Sequence, residues 1–177
     1  MDLAKLAFLE TFTLENNAGI MGAILVTDAD TKPLEFRVTA PIKTTNFQKT
    51  LYGDVLMEHI LVELISIPLI SAINEEIDLV LVRDPLFLGA NNKQGTRIIR
   101  IFNGEAERSR NSKNGEALNS IGANGSKVFV ETTKKYETEL PEIQKKLSLI
   151  LDSRNLIEPF ERLKIACEQV HLQKTGE

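Results

Sequence analysis

Apolar side chains occupy both parities of Ala18–Thr27, AGIMGAILVT, so a strand there buries both faces and sits inside its sheet. Leu34–Thr39 alternates instead: Leu34, Phe36 and Val38 point one way, Glu35, Arg37 and Thr39 the other, as where one side packs and the other faces water or a site. Between them DADTKP supplies turn formers, with Asp28 and Asp30 able to accept local N–H bonds and Pro33 opening the second strand, and the pattern predicts a hairpin. Leu6–Leu14 fits either a preceding strand or a short helix. Ile77–Val82, IDLVLV, reads as a further buried strand closed by Arg83-Asp84-Pro85. Thr96–Phe102, with Arg97 and Arg100 on opposite faces, and Lys127–Glu131 complete the strands.

Helical spacing appears in two places. TTNFQKTLYG predicts one or two turns entered through Thr44 or Thr45 and stopped by Gly53, after which Asp54 can cap a second helix. There Leu56, Ile60, Leu64 and Ile67 recur at helical period, and further apolar positions widen the stripe to nearly the whole circumference, so this helix is expected to be buried. Pro68 should kink or restart it. Near the end, Leu140, Ile143, Leu147 and Ile150 form one stripe and Leu156, Phe160, Leu163, Cys167 and Val170 another, with Pro141 and Pro159 in first-turn positions.

These elements predict an α+β fold: a mainly antiparallel sheet of about five strands, a buried central helix and a C-terminal helical hairpin. The expected organisation is one domain over 1–177, with a mixed core in 1–135, a mobile Asn-, Gly- and Ser-rich loop in 103–126 and the helical pair in 139–172.

Composition changes this picture little. The chain has 177 residues, 42% hydrophobic and 26% charged, the profile of an ordinary globular protein. No apolar run reaches the roughly 20 residues of a membrane span, and no membrane is expected among its partners. The N-terminus lacks a basic leader and a small-residue cleavage site. The one cysteine, Cys167, cannot form an internal disulfide, and a reducing cytoplasm fits best. Net charge is −4, yet Lys93–Lys135 carries nine Lys or Arg against four Glu, so the chain is polarised.

That polarity marks Lys93, Arg97, Arg100, Arg108, Arg110 and Lys113 as candidate contacts for nucleic acid, able to reach phosphates through charge but without aromatic platforms for base stacking. Asp28, Asp30 and Glu35 are carboxylates that could converge on a divalent cation and serve a metal-dependent hydrolase, although Arg37 stays protonated and cannot act as a base. Glu58, His59 and Glu63 share one stretch of helix, His59 and Glu63 one turn apart. GANGSK, Gly122–Lys127, lacks the spacing and the following helix of a phosphate loop. Burial on its helix makes Cys167 inert. No residue is assigned a catalytic role, and no cofactor is implied.

PLEFRVTAPIKTTNFQKTLYG, together with EPFERLKIACEQVH, resembles a family of bacterial proteins that carry Pro-Leu-Glu-Phe-Arg-x-Thr and a terminal Glu-Pro-Phe-Glu-Arg helix. The resemblance covers about the first third and the last tenth of the chain, implies a bacterial, intracellular origin, and transfers neither an activity nor a catalytic residue. The resulting expectation is a non-enzymatic interaction subunit or adaptor of a bacterial multiprotein system, docking a protein partner through Glu35, Arg37 and Thr39, through the terminal helices or through the loop, with self-association compatible. The alternatives are nucleic-acid association through 93–113 and the metal-dependent hydrolase.

Overall fold

The computed structural model describes residues 2–103 and 128–174. Among these described residues six strands form one sheet in the order β3-β2-β1-β4-β5-β6: β1 (Lys5–Thr13), β2 (Ile20–Asp28), β3 (Pro33–Val38), β4 (Leu79–Val82), β5 (Ile98–Asn103) and β6 (Val128–Glu131). The fold is mixed α+β with a mostly antiparallel sheet, in place of the five or so strands expected. β1–β2, β2–β3 and β5–β6 are antiparallel, whereas β1–β4 and β4–β5 are parallel. Parallel neighbours need long crossovers. Here one is supplied by the helical run α1 (Asn46–Ala72) and the other by 3-10 turns over Pro85–Asn92.

Leu6–Leu14 resolves to strand because its side chains alternate between two cores. Leu6 and Phe8 belong to a cluster with Leu79, Leu81, Ile99 and the C-terminal helices, while Ala7 and Leu9 join Val80, Val82, Ile98 and α1. The sheet is therefore sandwiched between two helical layers. α2 (Leu140–Leu151) and α3 (Glu158–Lys174) cover the first face. They turn Leu140, Ile143 and Leu147, then Phe160, Leu163 and Cys167, into the core, joined by Leu156 from the connection between them. Phe160 meets Phe8 edge to face, ring centres 5.4 Å apart, a geometry worth about 0.5–1.5 kcal/mol beyond burial.

α1 departs most from expectation. Thr45 caps it and Gln48 completes a capping box, as the residue types suggest. Gly53, at φ 52°, interrupts α-geometry, but 3-10 turns at Gly53–Val55 carry the helical run onward. The stretch Asn46–Ala72 is long and apolar enough to cross a bilayer by length and composition, yet only Ile60, Leu61, Val62, Ile65, Ser66 and Leu69 are buried, all in the core layer. Its first turns bury nothing, and Phe47 is 70% exposed. Within the second helix, expected to be buried, Val55, Met57 and Leu64 are exposed, so burial there is confined to one side. At Pro68 the helix restarts: Ile60–Ser66 widens to π geometry, with the Ile67 N–H donating to Val62 O, and α geometry resumes over Ile67–Ala72 with Pro68 in its first turn, a local way to accommodate a ring that has no donor. This widened turn sits directly on β2, where a Cβ on Gly22 would lie 2.3 Å from Ile65 Cγ2.

The EPFER helix and the DADTKP turn meet in space. Asp28 Oδ1 accepts from the Asp30 and Lys32 N–H groups at 2.9 and 3.0 Å, closing the hairpin as an Asx turn. Thr31, with φ at 60°, presents its hydroxyl and carbonyl to Arg162, which is itself gripped by Glu158. The EPFER helix thus clasps the hairpin through Arg162 while Phe160 enters the core.

Candidate functional site

β1, β4 and β5 run parallel, so their carboxyl ends share one edge of the sheet. From β1 the chain proceeds outward through β2 and β3. From β4 it proceeds the other way through β5 and β6. The switch in direction between β1 and β4 opens a crevice beyond the strand ends, the ordinary place for a ligand in such a sheet.

Leu9 and Val82 are the last partners of the β1–β4 ladder, and the next residues, Glu10 and Arg83, stand together at that edge. Arg83 Nε donates to Glu10 Oε2 at 2.9 Å, and the Thr11 N–H donates to Glu10 Oε1 at 3.1 Å. The guanidinium lies 4.9 Å above the Phe160 ring. Glu10 is 11% exposed and Arg83 38%, so one partner is nearly enclosed and the other opens outward. The two terminal nitrogens of Arg83 have no hydrogen-bond partner among the described residues.

Two cavities are lined by Arg83. One, of about 350 Å³, is lined by Glu10, Thr11, Arg83, Lys164, Cys167 and Glu168 among others. The second, of about 300 Å³, is lined by Arg83, Ile101, Phe102, Asn103 and Ile157. Each is at the small end of ligand-pocket size, and Arg83 is the residue they share, so the two together outline a groove along this edge. Lys164, exposed on α3, has no ion-pair or hydrogen-bond partner among the described residues. Burial, with Glu168 adding, pushes the Cys167 thiol up to about 12, which removes it as a nucleophile.

A second arginine–glutamate pair lies behind this edge. Arg100 donates to Glu131 Oε1 at 2.7 Å with side-chain exposures of 1% and 5%. Its Nε donates to the Arg83 carbonyl at 3.0 Å, and its guanidinium stands 4.2 Å over Phe102.

The residues singled out from the sequence fall elsewhere. Lys93 is paired with Glu63, and Arg97 with Glu139 at 2.7 Å. Both precede β5, on the edge opposite the groove. Arg100 is buried, and Arg108, Arg110, Lys113 and GANGSK lie outside the described residues, as does most of the 103–126 loop. Asp28 is occupied by the turn amides. Glu35 accepts from the Asn74 and Glu75 N–H groups at 2.9 and 3.0 Å and from Arg37 at 2.8 Å. The Glu75 N–H, with lesser help from Arg37 and the Asn74 N–H and against desolvation, holds its carboxyl below the usual range. Thr39 Oγ1 accepts from the Gly22 N–H at 2.9 Å. Glu35 and Thr39 therefore tie the β3 segment to the turn after α1 and to β2, which leaves Arg37 as the outward member of the expected docking trio. His59 stacks on Tyr52, ring centres 4.5 Å apart, beside Glu58 and Glu63.

Cation-assisted hydrolysis of a phosphodiester calls for converging carboxylates. Among the described residues no group of three or more His, Cys, Asp or Glu is placed to hold a metal, so Asp28, Asp30 and Glu35 do not form the site expected of them. At the groove the donor set fits no better: Glu10 is held by a fixed cation, and Asp84 is used as an N-cap for the Leu86 N–H at 2.9 Å. The sequence reading passed over Glu10, Arg83 and Lys164. The available signal was a charge ending an apolar strand, in FLE and VLVR.

No protein-family model and no curated protein matches this chain. Among solved structures, endonuclease V from Streptomyces avermitilis is similar with a TM-score of 0.57 at 10% identity, covering 97% of this chain and 82% of that one. Endonuclease V from Bacillus subtilis is similar with a TM-score of 0.53 at 14% identity, covering 97% and 81%. At these identities the likeness is one of fold: along 97% of its length the chain shares the architecture of these two endonuclease V structures, a finding that stands against the expectation of a non-enzymatic interaction subunit or adaptor.

Proposed function

We propose that the protein acts on nucleic acid, with a strand lying in the groove at the carboxyl edge of β1, β4 and β5. The observation that carries this reading is the outward edge of Arg83, a planar donor suited to phosphate, set at the switch point of a sheet whose architecture is shared with endonuclease V. Lys164 supplies a second positive contact on the same wall, and Asn103 and Thr11 add polar groups along the groove. This places the nucleic acid at the edge opposite Lys93 and Arg97.

The test is a mobility-shift series with single-stranded DNA, duplex DNA and single-stranded RNA, run with magnesium or manganese and then resolved on denaturing gels. A retarded complex that weakens steeply with salt is the expected result, and cleavage products would extend the likeness from fold to activity. Absence of any complex at low salt with all three substrates would refute the reading.

A further inference from the structure

We infer that Arg83 receives a phosphate of the bound strand directly, and that this recognition needs no metal ion. The inference rests on the nucleic-acid reading above. Glu10, nearly enclosed, fixes the guanidinium by its Nε edge, and Phe160 supports one face of it. What remains is the edge formed by the two terminal nitrogens, without a hydrogen-bond partner among the described residues on a side chain that lines both cavities. Two parallel N–H donors match the oxygens of a phosphodiester bidentately.

The charge balance agrees. In a metal-dependent site, carboxylates and phosphate are both negative and a cation must reconcile them. Here Arg83 offsets Glu10, and Lys164 is positioned on the same wall to offset one phosphate. Glu168 opposes binding from that wall, so neutralising it strengthens the complex. The carboxylate on β1 serves to orient a cationic side chain and not to hold a metal.

Fluorescence anisotropy of a short labelled oligonucleotide, at matched ionic strength in EDTA and in magnesium, tests this. Affinity should be the same in both buffers. Arg83→Ala should weaken binding about tenfold and lower the salt slope by about 0.7–0.9, Arg83→Lys should recover part of the affinity and none of the bidentate geometry, and Glu168→Gln should tighten binding. Thermal melts confirm that each variant folds, and Lys164→Ala, an exposed change, provides a second weakened variant independent of the Glu10 pair. A requirement for magnesium or manganese, or an Arg83→Ala protein that folds and binds as the parent does, overturns the inference while leaving nucleic-acid binding intact. Failure of the parent protein to bind overturns both.

Discussion

Two arginine–glutamate pairs lie within one hydrogen bond of each other, and they differ in what surrounds them. Arg100 and Glu131 are sealed between β5 and β6. Arg83 and Glu10 bridge β4 and β1 at the rim of a groove. In the sealed pair the ions, the Arg83 carbonyl and the Phe102 ring satisfy one another. In the rim pair only the carboxylate side is satisfied. The sealed pair holds the backbone of Arg83 in place, and the rim pair holds its side chain. Exposure of half a pair thus separates a group that serves the fold from one that can serve a ligand.

The largest expected effect breaks the sealed pair. Glu131→Ala should cost about 3–5 kcal/mol, because Arg100 is left as an uncompensated buried charge, and urea unfolding would read it. Replacing both partners, Arg100→Met with Glu131→Leu, should recover most of that loss, short of the roughly 1 kcal/mol held in the Arg100 hydrogen bond to the Arg83 carbonyl. If that double variant binds weakly, the two pairs are not functionally separable. The rim pair should respond the other way: Arg83→Ala should cost about 1 kcal/mol of stability while lowering affinity, and a double-mutant cycle with Glu10→Gln isolates the coupling.

A smaller effect comes from Glu35, a carboxylate satisfied by backbone amides and by an arginine. Its folded-state pKa is lowered, so its contribution is present above the ordinary carboxyl range and lost as pH falls through the lowered value. Glu35→Gln should flatten the acid limb of a stability–pH profile. The smallest effect is Cys167. Its thiol, raised to about 12, should resist alkylation at mildly alkaline pH in the native protein and react at once in urea. As pH climbs above the ordinary thiol range, the unfolded chain loses that proton first and stability falls.

The elements with local signatures were legible in the sequence. The hairpin announced itself through Asp28 and the alternation from Leu34 onward. The last two helices did so through Leu140, Ile143 and Leu147, then Phe160, Leu163 and Cys167. The parallel placement of β4 beside β1 was not legible, because IDLVLV reads the same whichever neighbour it takes. The groove depends on that placement, so Glu10 and Arg83, 73 positions apart in sequence, gave no joint signal. Arg100 misled for a related reason: charge in a sequence window is indifferent to burial, and its partner Glu131 lies on a strand that only the sheet brings near.

The clasp between Arg162 and Thr31 spans 131 positions. A growing chain that has emerged only as far as β6 can pair its strands, yet it leaves the Leu6, Phe8 and Ile99 face of the sheet wet until α2 and α3 arrive. Closure of so distant a contact is slow by its loop entropy, so nascent intermediates are the form most prone to stick to one another. The hairpin waits for an arginine that leaves the ribosome 131 residues after it.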